Sequence, residues 1–296
     1  MTIAITGATG NIGSVLADRL LRAGADITLI VRNAEKAKHF ADRGAKLAIG
    51  DLTDETFIVN ATRGAKALFW LTPPNFAVTD FRAYQNRLGD IAANAIRTNN
   101  IPHVVHLSSF GAHLGHSAGP VNGLSDIEKK LDAVSTNIIH LRPGFFMENL
   151  FGNLATIKTA GAIFGPISPT VTFPVIATRD IGEIAAEILG NLDWSGRNVR
   201  ELHGPRHLSW GEIARTLGTT LGREVKFIPV TAEQAIESMK GMGLPEDISN
   251  QYVELYRGID SGVLTCEQPL GPQTATTTTL EQFASDILKP AIDNMG

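Results

Sequence analysis

Near the start of the chain, Gly7-Ala8-Thr9-Gly10-Asn11-Ile12-Gly13 spaces three glycines three residues apart. The apolar run Ile3-Ala4-Ile5 precedes it and a stretch of helical periodicity follows. A glycine turn between a strand and a helix suits the pyrophosphate of a dinucleotide. Gly7 permits the tight turn, Gly10 lets backbone approach phosphate, and Gly13 lets the helix pack on the strand, while the helix N-terminus offers unpaired N–H groups and positive potential. Thr9, Asn11 and Ile12 share the loop and are expected to touch the same cofactor. An ordinary glycine-rich turn is the alternative, and the flanking elements argue against it.

The second apolar run ends in Val31-Arg32-Asn33, with Lys36 one turn later, where an acidic residue would bind the ribose 2′-hydroxyl of NAD. A guanidinium grips a 2′-phosphate through two hydrogen bonds and stacks on adenine, so Arg32 and Lys36 favour NADP(H) over NAD(H). A solvated strand-end arginine is the alternative. Asp51-Leu52 stands where an adenine-binding residue falls, and equally where an aspartate caps the next helix. Leu71, Thr72 and Pro73, then Ser108, then Pro143, follow successive apolar runs and complete the expected cofactor contacts at the carboxyl edge of a sheet.

For reduction of a carbonyl, a tyrosine hydroxyl can donate the proton when a nearby lysine, such as one a helical turn on, lowers its pKa. That pair is absent: Tyr84, Tyr252 and Tyr256 are followed four positions later by Leu88, Tyr256 and Asp260. What stands at the carboxyl edge is Ser108-Ser109-Phe110-Gly111-Ala112-His113, with His116 beyond. Ser108 or Ser109 can hydrogen-bond a substrate oxygen or the nicotinamide amide, and His113 can supply a proton. A strand-end serine satisfying backbone groups and an exposed loop histidine are the alternatives. Phe110, Phe145, Phe146 and Met147 are expected to line an apolar pocket for a flat, small-molecule substrate, with interlobe core as the alternative. Asn149 in that setting needs a polar partner or bridges two lobes.

No metal site is expected. His103, His106, His113 and His116 repeat a His-x-x-His spacing, but His103 and His106 point to opposite faces of a strand, and no cysteine and few acids stand near them. Asp126, Glu128, Lys129, Lys130 and Asp132 read as the solvated side of a helix whose Ile127, Leu131 and Val134 face inward.

These residues need elements to hold them. Apolar runs at 2–6, 26–31, 46–49, 66–71, 103–107 and 137–141 alternate with amphipathic stretches at 11–23, 33–42, 53–64, 80–98 and 125–134. That alternation marks βαβ units around a parallel sheet. The fold class expected is α/β, a Rossmann doubly wound parallel sheet with a smaller, partly interleaved α+β substrate lobe. Residues 1–150 form the cofactor-binding domain, with the chain returning to it around 178–204; 151–177 and 205–296 form the lobe. In the lobe, helices are expected near 180–189, 209–221 and 232–240 and strands near 199–202 and 225–228. A threonine of Thr276–Thr279 caps a last helix at 280–288.

The 296 residues carry 26 Lys and Arg against 30 Asp and Glu, a net charge of −4 that speaks against a broad nucleic-acid footprint. One cysteine, Cys266, excludes a disulfide framework and fits a reducing, cytoplasmic setting. Met1-Thr2 leads straight into a strand with no signal-peptide pattern. The charge-free stretch 159–178 contains three prolines and two glycines and reads as a buried or pocket-lining loop rather than a membrane span. A monomer and a homodimer are equally compatible.

Thr6–Gly13, Val31-Arg32-Asn33, Gly50-Asp51-Leu52 and Leu141-Arg142-Pro143-Gly144-Phe145-Phe146-Met147-Glu148-Asn149 together resemble the NmrA-like group of atypical short-chain dehydrogenases/reductases, over essentially the whole chain. The resemblance implies a Rossmann domain with a smaller substrate lobe. It also implies a range of roles: NADPH-dependent quinone, azo-dye and triphenylmethane-dye reductases, isoflavone-type reductases, and non-catalytic redox-sensing regulators. The chain departs from that pattern in two places. Ala112–Leu124 lacks the lysine of isoflavone-type reductases, and Ser125 stands where many relatives have histidine. The leading expectation is an NADPH-dependent reductase of an aromatic or quinonoid compound. A non-catalytic NADP(H) sensor and a biosynthetic tailoring enzyme with unusual redox chemistry are the alternatives.

Overall fold

The computed structural model describes residues 2–295. The first half runs β1 (Thr2–Thr6), α1 (Asn11–Arg22), β2 (Asp26–Val31), α2 (Ala34–Ala41), β3 (Lys46–Ile49), α3 (Glu55–Ala61), β4 (Ala67–Leu71), α4 (Phe81–Asn99), β5 (His103–Leu107), α5 (Val121–Asp132) and β6 (Ile138–Pro143). The second half adds β7 (Phe145–Phe146), a 3₁₀ turn over Met147–Asn153, α6 (Leu154–Ala160), β8 (Ala162–Gly165), β9 (Thr172–Ile176), α7 (Thr178–Gly190), β10 (Arg197–Leu202) and β11 (His207–Ser209). It closes with α8 (Trp210–Leu221), β12 (Lys226–Pro229), α9 (Ala232–Gly241), α10 (Glu246–Asp260) and α11 (Leu280–Phe283), which runs through a π turn into α12 (Lys289–Asp293).

Seven strands pair in the order β10-β6-β5-β4-β1-β2-β3, every pair parallel. A parallel sheet covered on both faces needs strands that are apolar throughout. Ile3, Ala4 and Ile5 of β1 and Ala67 through Trp70 of β4 are accordingly fully buried. One face packs against α1, α2 and α7, the other against α3, α4 and α5. The doubly wound α/β class expected from the sequence is the class observed. β10 joins the sheet at its β6 edge, 54 residues after β6 ends by chain numbering (197 − 143), and α7 lies against α1.

Several helix starts follow side-chain caps. Asn33 accepts from the Glu35 and Lys36 N–H groups, Asp54 from Phe57 and Asp80 from Ala83. Thr279 forms a capping box with Gln282, so the expected threonine cap falls on the last of the four. α5 starts at Val121 rather than Ser125, directly after Pro120, whose fixed φ of −60° suits a helix start.

The stretch 159–178 is not the loop expected. It completes α6 and supplies β8, parallel to β12, and β9, antiparallel to β11 and parallel to β7. Its lack of charge reflects burial: Ile163, Phe173, Val175 and Ile176 sit in the cores. No helix among the described residues is long and apolar enough to cross a membrane. Of the elements the sequence reading left out, α10 is the longest, and Ile248, Val253 and Ile259 form its buried stripe.

Candidate active site

The strand order reverses between β1 and β4, and ligands of doubly wound sheets bind outside the carboxyl ends of strands at that switch point. The loop leaving β1 is built for close approach. Gly7 has φ +67°, where side chains are strained, and accepts the Gly10 N–H at 3.0 Å. A Cβ on Gly13 would lie 2.3 Å from the Gly7 oxygen, so only glycine lets the helix start fold back onto the turn. α1 has no side-chain N-cap and no acidic residue in its first turn, which leaves its leading N–H groups and positive potential for an external anion.

A cleft of about 800 Å³ opens over this loop. Gly7, Thr9, Gly10, Asn11, Ile12, Gly13, Arg32, Asp51, Leu52, Leu71 and Pro73 all line it. Four other expected cofactor residues do not. Lys36 points to solvent from the first turn of α2; Thr72 and Ser108 line the adjoining pocket. Pro143 is buried and its carbonyl accepts the Phe110 N–H at 3.0 Å, which holds Phe110 in place. Arg32 is exposed and has no hydrogen-bond or ion-pair partner among the described residues, so its guanidinium is available to a ligand. Asp51 accepts from the Thr53 backbone at 2.8 Å and hydroxyl at 2.7 Å, while Asp54 caps α3. The Thr53 bonds, with weaker help from Arg32 and Arg87, hold the Asp51 carboxyl below the usual carboxylate range. The donor-rich loop and open helix start fit the pyrophosphate of a nicotinamide dinucleotide.

Next to the cleft, and sharing Ile12, Leu71 and Phe146 with it, lies a pocket of about 480 Å³. Its walls are aromatic. β7 pairs with β9, bringing Phe145 beside Phe173, and Trp210 meets Phe145 edge-on at 5.2 Å. Tyr252 and Tyr256 come from α10, Phe110 from the turn after β5. Among the described residues, no charged side chain lines the pocket. Three of its polar atoms are buried without a partner: Gln85 Oε1, Ser108 Oγ and Trp210 Nε1. Buried polar groups are normally paired, so these three are exceptions behind the pocket wall, with Gln85 Oε1 packed against Gly123 of α5. Burial raises the Tyr252 hydroxyl, and burial together with Tyr252 pushes Tyr256 up to about 12, so both stay protonated hydrogen-bond donors.

Of the expected substrate residues, Phe110, Phe145, Phe146, Asn149 and the candidate Ser109 line this pocket. Asn149 is exposed at its rim rather than enclosed. Met147 is fully buried in the core beside it, because the 3₁₀ turn following β7 directs its side chain inward. His113 lines neither cavity: tight turns at Ala112 and Leu114, with Gly111 at φ +82°, carry it away. Its Nδ1 lies 3.6 Å from Glu267, beyond hydrogen-bond reach. Glu128 is a second correction. It is buried against Arg142, not solvated, because α5 lies over the end of β6. Sequence reasoning missed Gln85, Phe173, Trp210 and the two α10 tyrosines; only the α10 stripe left a periodic signal.

The doubly wound parallel sheet with a glycine loop at its switch point defines a Rossmann-type α/β protein. The chain belongs to the NmrA-like family, whose pattern matches residues 1–284. It is 29% identical over 254 residues to "NAD(P)H azoreductase" of Xenophilus azovorans, covering 86% of each chain. It is 26% identical to "Quinone oxidoreductase 2" of Escherichia coli (strain K12), covering 93% of this chain and 95% of that one. The crystal structure of the Escherichia coli NADPH-dependent quinone oxidoreductase complexed with NADPH superposes with a TM-score of 0.81 at 23% identity, over 97% of this chain and 99% of that one, which shows the shared fold.

Proposed function

We propose that the protein is an NADPH-dependent reductase of neutral aromatic or quinonoid compounds. One observation carries this reading: a charge-free aromatic pocket opens off the glycine-loop cleft. The similarity to an NAD(P)H azoreductase and a quinone oxidoreductase supports the same class of chemistry. The loop Gly7–Gly13 and the start of α1 would hold the pyrophosphate, Arg32 the 2′-phosphate, and Asp51 with Leu52 the adenine end. Bound NADPH would supply a hydride from its nicotinamide ring.

The chain's own contribution is position and exclusion of water. Phe145, Phe173 and Trp210 present flat apolar faces that stack a planar guest. Ser108 and Ser109 reach polar substrate atoms, and the Tyr252 and Tyr256 hydroxyls remain protonated donors. Among the described residues, no His, Asp, Glu, Lys or Arg lines the pocket, so the reduced substrate takes its proton from a hydroxyl or from solvent. A quinone tolerates this, since hydride addition leaves a resonance-stabilised phenolate that can take its proton from water after the transfer.

The test is calorimetric titration with NADPH, NADP⁺, NADH and NAD⁺, followed by NADPH oxidation with quinones, azo dyes and enones. Tight NADPH binding with turnover of neutral planar acceptors is expected. Tight binding without turnover of any acceptor overturns the reductase reading and leaves a sensor.

A further inference from the structure

A second polar constellation lies outside this site, where β10 passes into β11. The chain reads His203-Gly204-Pro205-Arg206-His207, and Cys266, the only cysteine, arrives from the irregular segment between α10 and α11. One ligand atom of each residue, the Cys266 sulfur and one ring nitrogen of each histidine, lies within 4.8 Å of the other two. We propose that His203, His207 and Cys266 bind a single zinc ion, or a divalent cation of the same borderline softness.

The first argument is orientation. His203 is fully buried and its Nε2 lies 3.1 Å from Glu201 Oε2. Glu201 is also fully buried and accepts the Glu267 and Gln268 N–H groups at 3.1 and 2.9 Å. A carboxylate engaged this way accepts hydrogen bonds and has none to give, so the His203 proton sits on Nε2 and the Nδ1 lone pair faces the other way. That is the carboxylate–histidine arrangement that orients metal-bound imidazoles. His203 Nδ1 faces His207 Nε2 at 3.3 Å, with the ring planes inclined at 67°.

The second argument is spacing. Tetrahedral zinc with nitrogens at 2.0–2.1 Å and sulfur at 2.3 Å places its nitrogens about 3.3 Å apart and each about 3.6 Å from sulfur. The two histidine nitrogens already stand at that separation. The third argument is access. His207 and Cys266 line a cavity of about 510 Å³ beneath the 262–270 segment, which leaves room for a fourth ligand from solvent. The ion would tie that irregular segment to β10 and β11, reinforcing the backbone bonds to Glu201.

Because Cys266 is the only sulfur ligand of its kind in the chain, cobalt reports on this site without any mutation. Titrating the metal-stripped full chain with Co²⁺ is expected to give, at one equivalent, the near-ultraviolet thiolate-to-cobalt band and the strong visible absorption of a four-coordinate ion. One equivalent of Zn²⁺ should then abolish both. Elemental analysis of protein purified without chelator should find one zinc per chain. Cys266→Ser and His207→Gln should each weaken Zn²⁺ binding at least about a hundredfold in chelator competition while NADPH binding, as a check on folding, is retained. Cobalt uptake without the thiolate band, substoichiometric zinc, or equal affinity in Cys266→Ser overturns the proposal. Should either variant fail to fold, the wild-type cobalt spectrum decides.

Discussion

Glu128 on α5 holds Arg142 at the end of β6 by two hydrogen bonds, Nε–Oε1 at 2.9 Å and Nη2–Oε2 at 2.6 Å, with both side chains less than a tenth exposed. Glu267, from the segment between α10 and α11, pairs with the same guanidinium. Arg142 therefore joins the crossover helix, the sheet and the second half of the chain at a single buried cation. Removing one partner of such a pair leaves a charge without compensation, which costs far more than a surface ion pair contributes. Glu128→Gln should lower unfolding free energy by about 3 kcal/mol, the remaining Glu267 limiting the loss. Glu267→Gln, at a half-exposed carboxylate, should cost clearly less. Urea denaturation of the two variants checks the order, and equal losses would refute it.

The buried histidine pair in the sheet sets a pH dependence. His106 Nδ1 meets His140 Nδ1 at 3.0 Å, and His140 Nε2 reaches Asp132 at 3.2 Å. Burial first, then His140 and Arg142, holds the His106 pKa well below its usual value. A histidine depressed on folding binds its proton more readily in the unfolded chain. Its contribution to stability is therefore full above about pH 6.5 and is lost as pH falls below it. Between pH 7.5 and 5.5 the wild type should lose roughly 1 kcal/mol through this group, a loss that His106→Gln abolishes. Denaturation at both pH values would detect it, and an unchanged slope in the variant would refute it.

Arg32 stands unpaired at the mouth of the glycine-loop cleft. If it grips a 2′-phosphate, Arg32→Asp replaces charge-assisted hydrogen bonds by repulsion. NADPH affinity should then fall at least about tenfold. NADH, which has a hydroxyl there, should bind nearly as before. Calorimetric titration separates the two, and equal losses would remove Arg32 from the cofactor assignment.

Ser108 carries a buried hydroxyl with no partner at the pocket wall. Deleting it removes an unsatisfied group from the free protein, so Ser108→Ala should leave stability unchanged or slightly raised. Where the hydroxyl binds substrate, kcat/KM should fall about five- to tenfold, the worth of one hydrogen bond. Lost stability with unchanged kinetics would make Ser108 a structural residue.

Much of the sheet was legible because strands and helices are specified locally. β1, β2, β3 and β5 coincide with their apolar runs, Asn33 caps α2, and Thr279 caps the final helix as the threonine run implied. The glycine spacing marked the loop between β1 and α1, and the strand order then places that loop at the switch point. α10 was missed although its stripe was present, because the chain before it lacks the strand–helix rhythm that framed the first half.

What the sequence by itself determined is the class of the fold, the glycine loop and the arginine beside it, since period, caps and turn residues act within a few positions of one another. The tertiary structure alone decided which polar groups meet. Glu128 stands among charges that read as a solvated helix face, and only the docking of α5 over β6 buries it on Arg142. His113 turns away from the pocket it was expected to serve, while Tyr252, Tyr256 and Trp210 enter it from the far half of the chain. His203 and His207 meet Cys266 for the same reason. Contacts between residues distant in sequence depend on how whole elements pack, and packing leaves no periodic trace in a single chain.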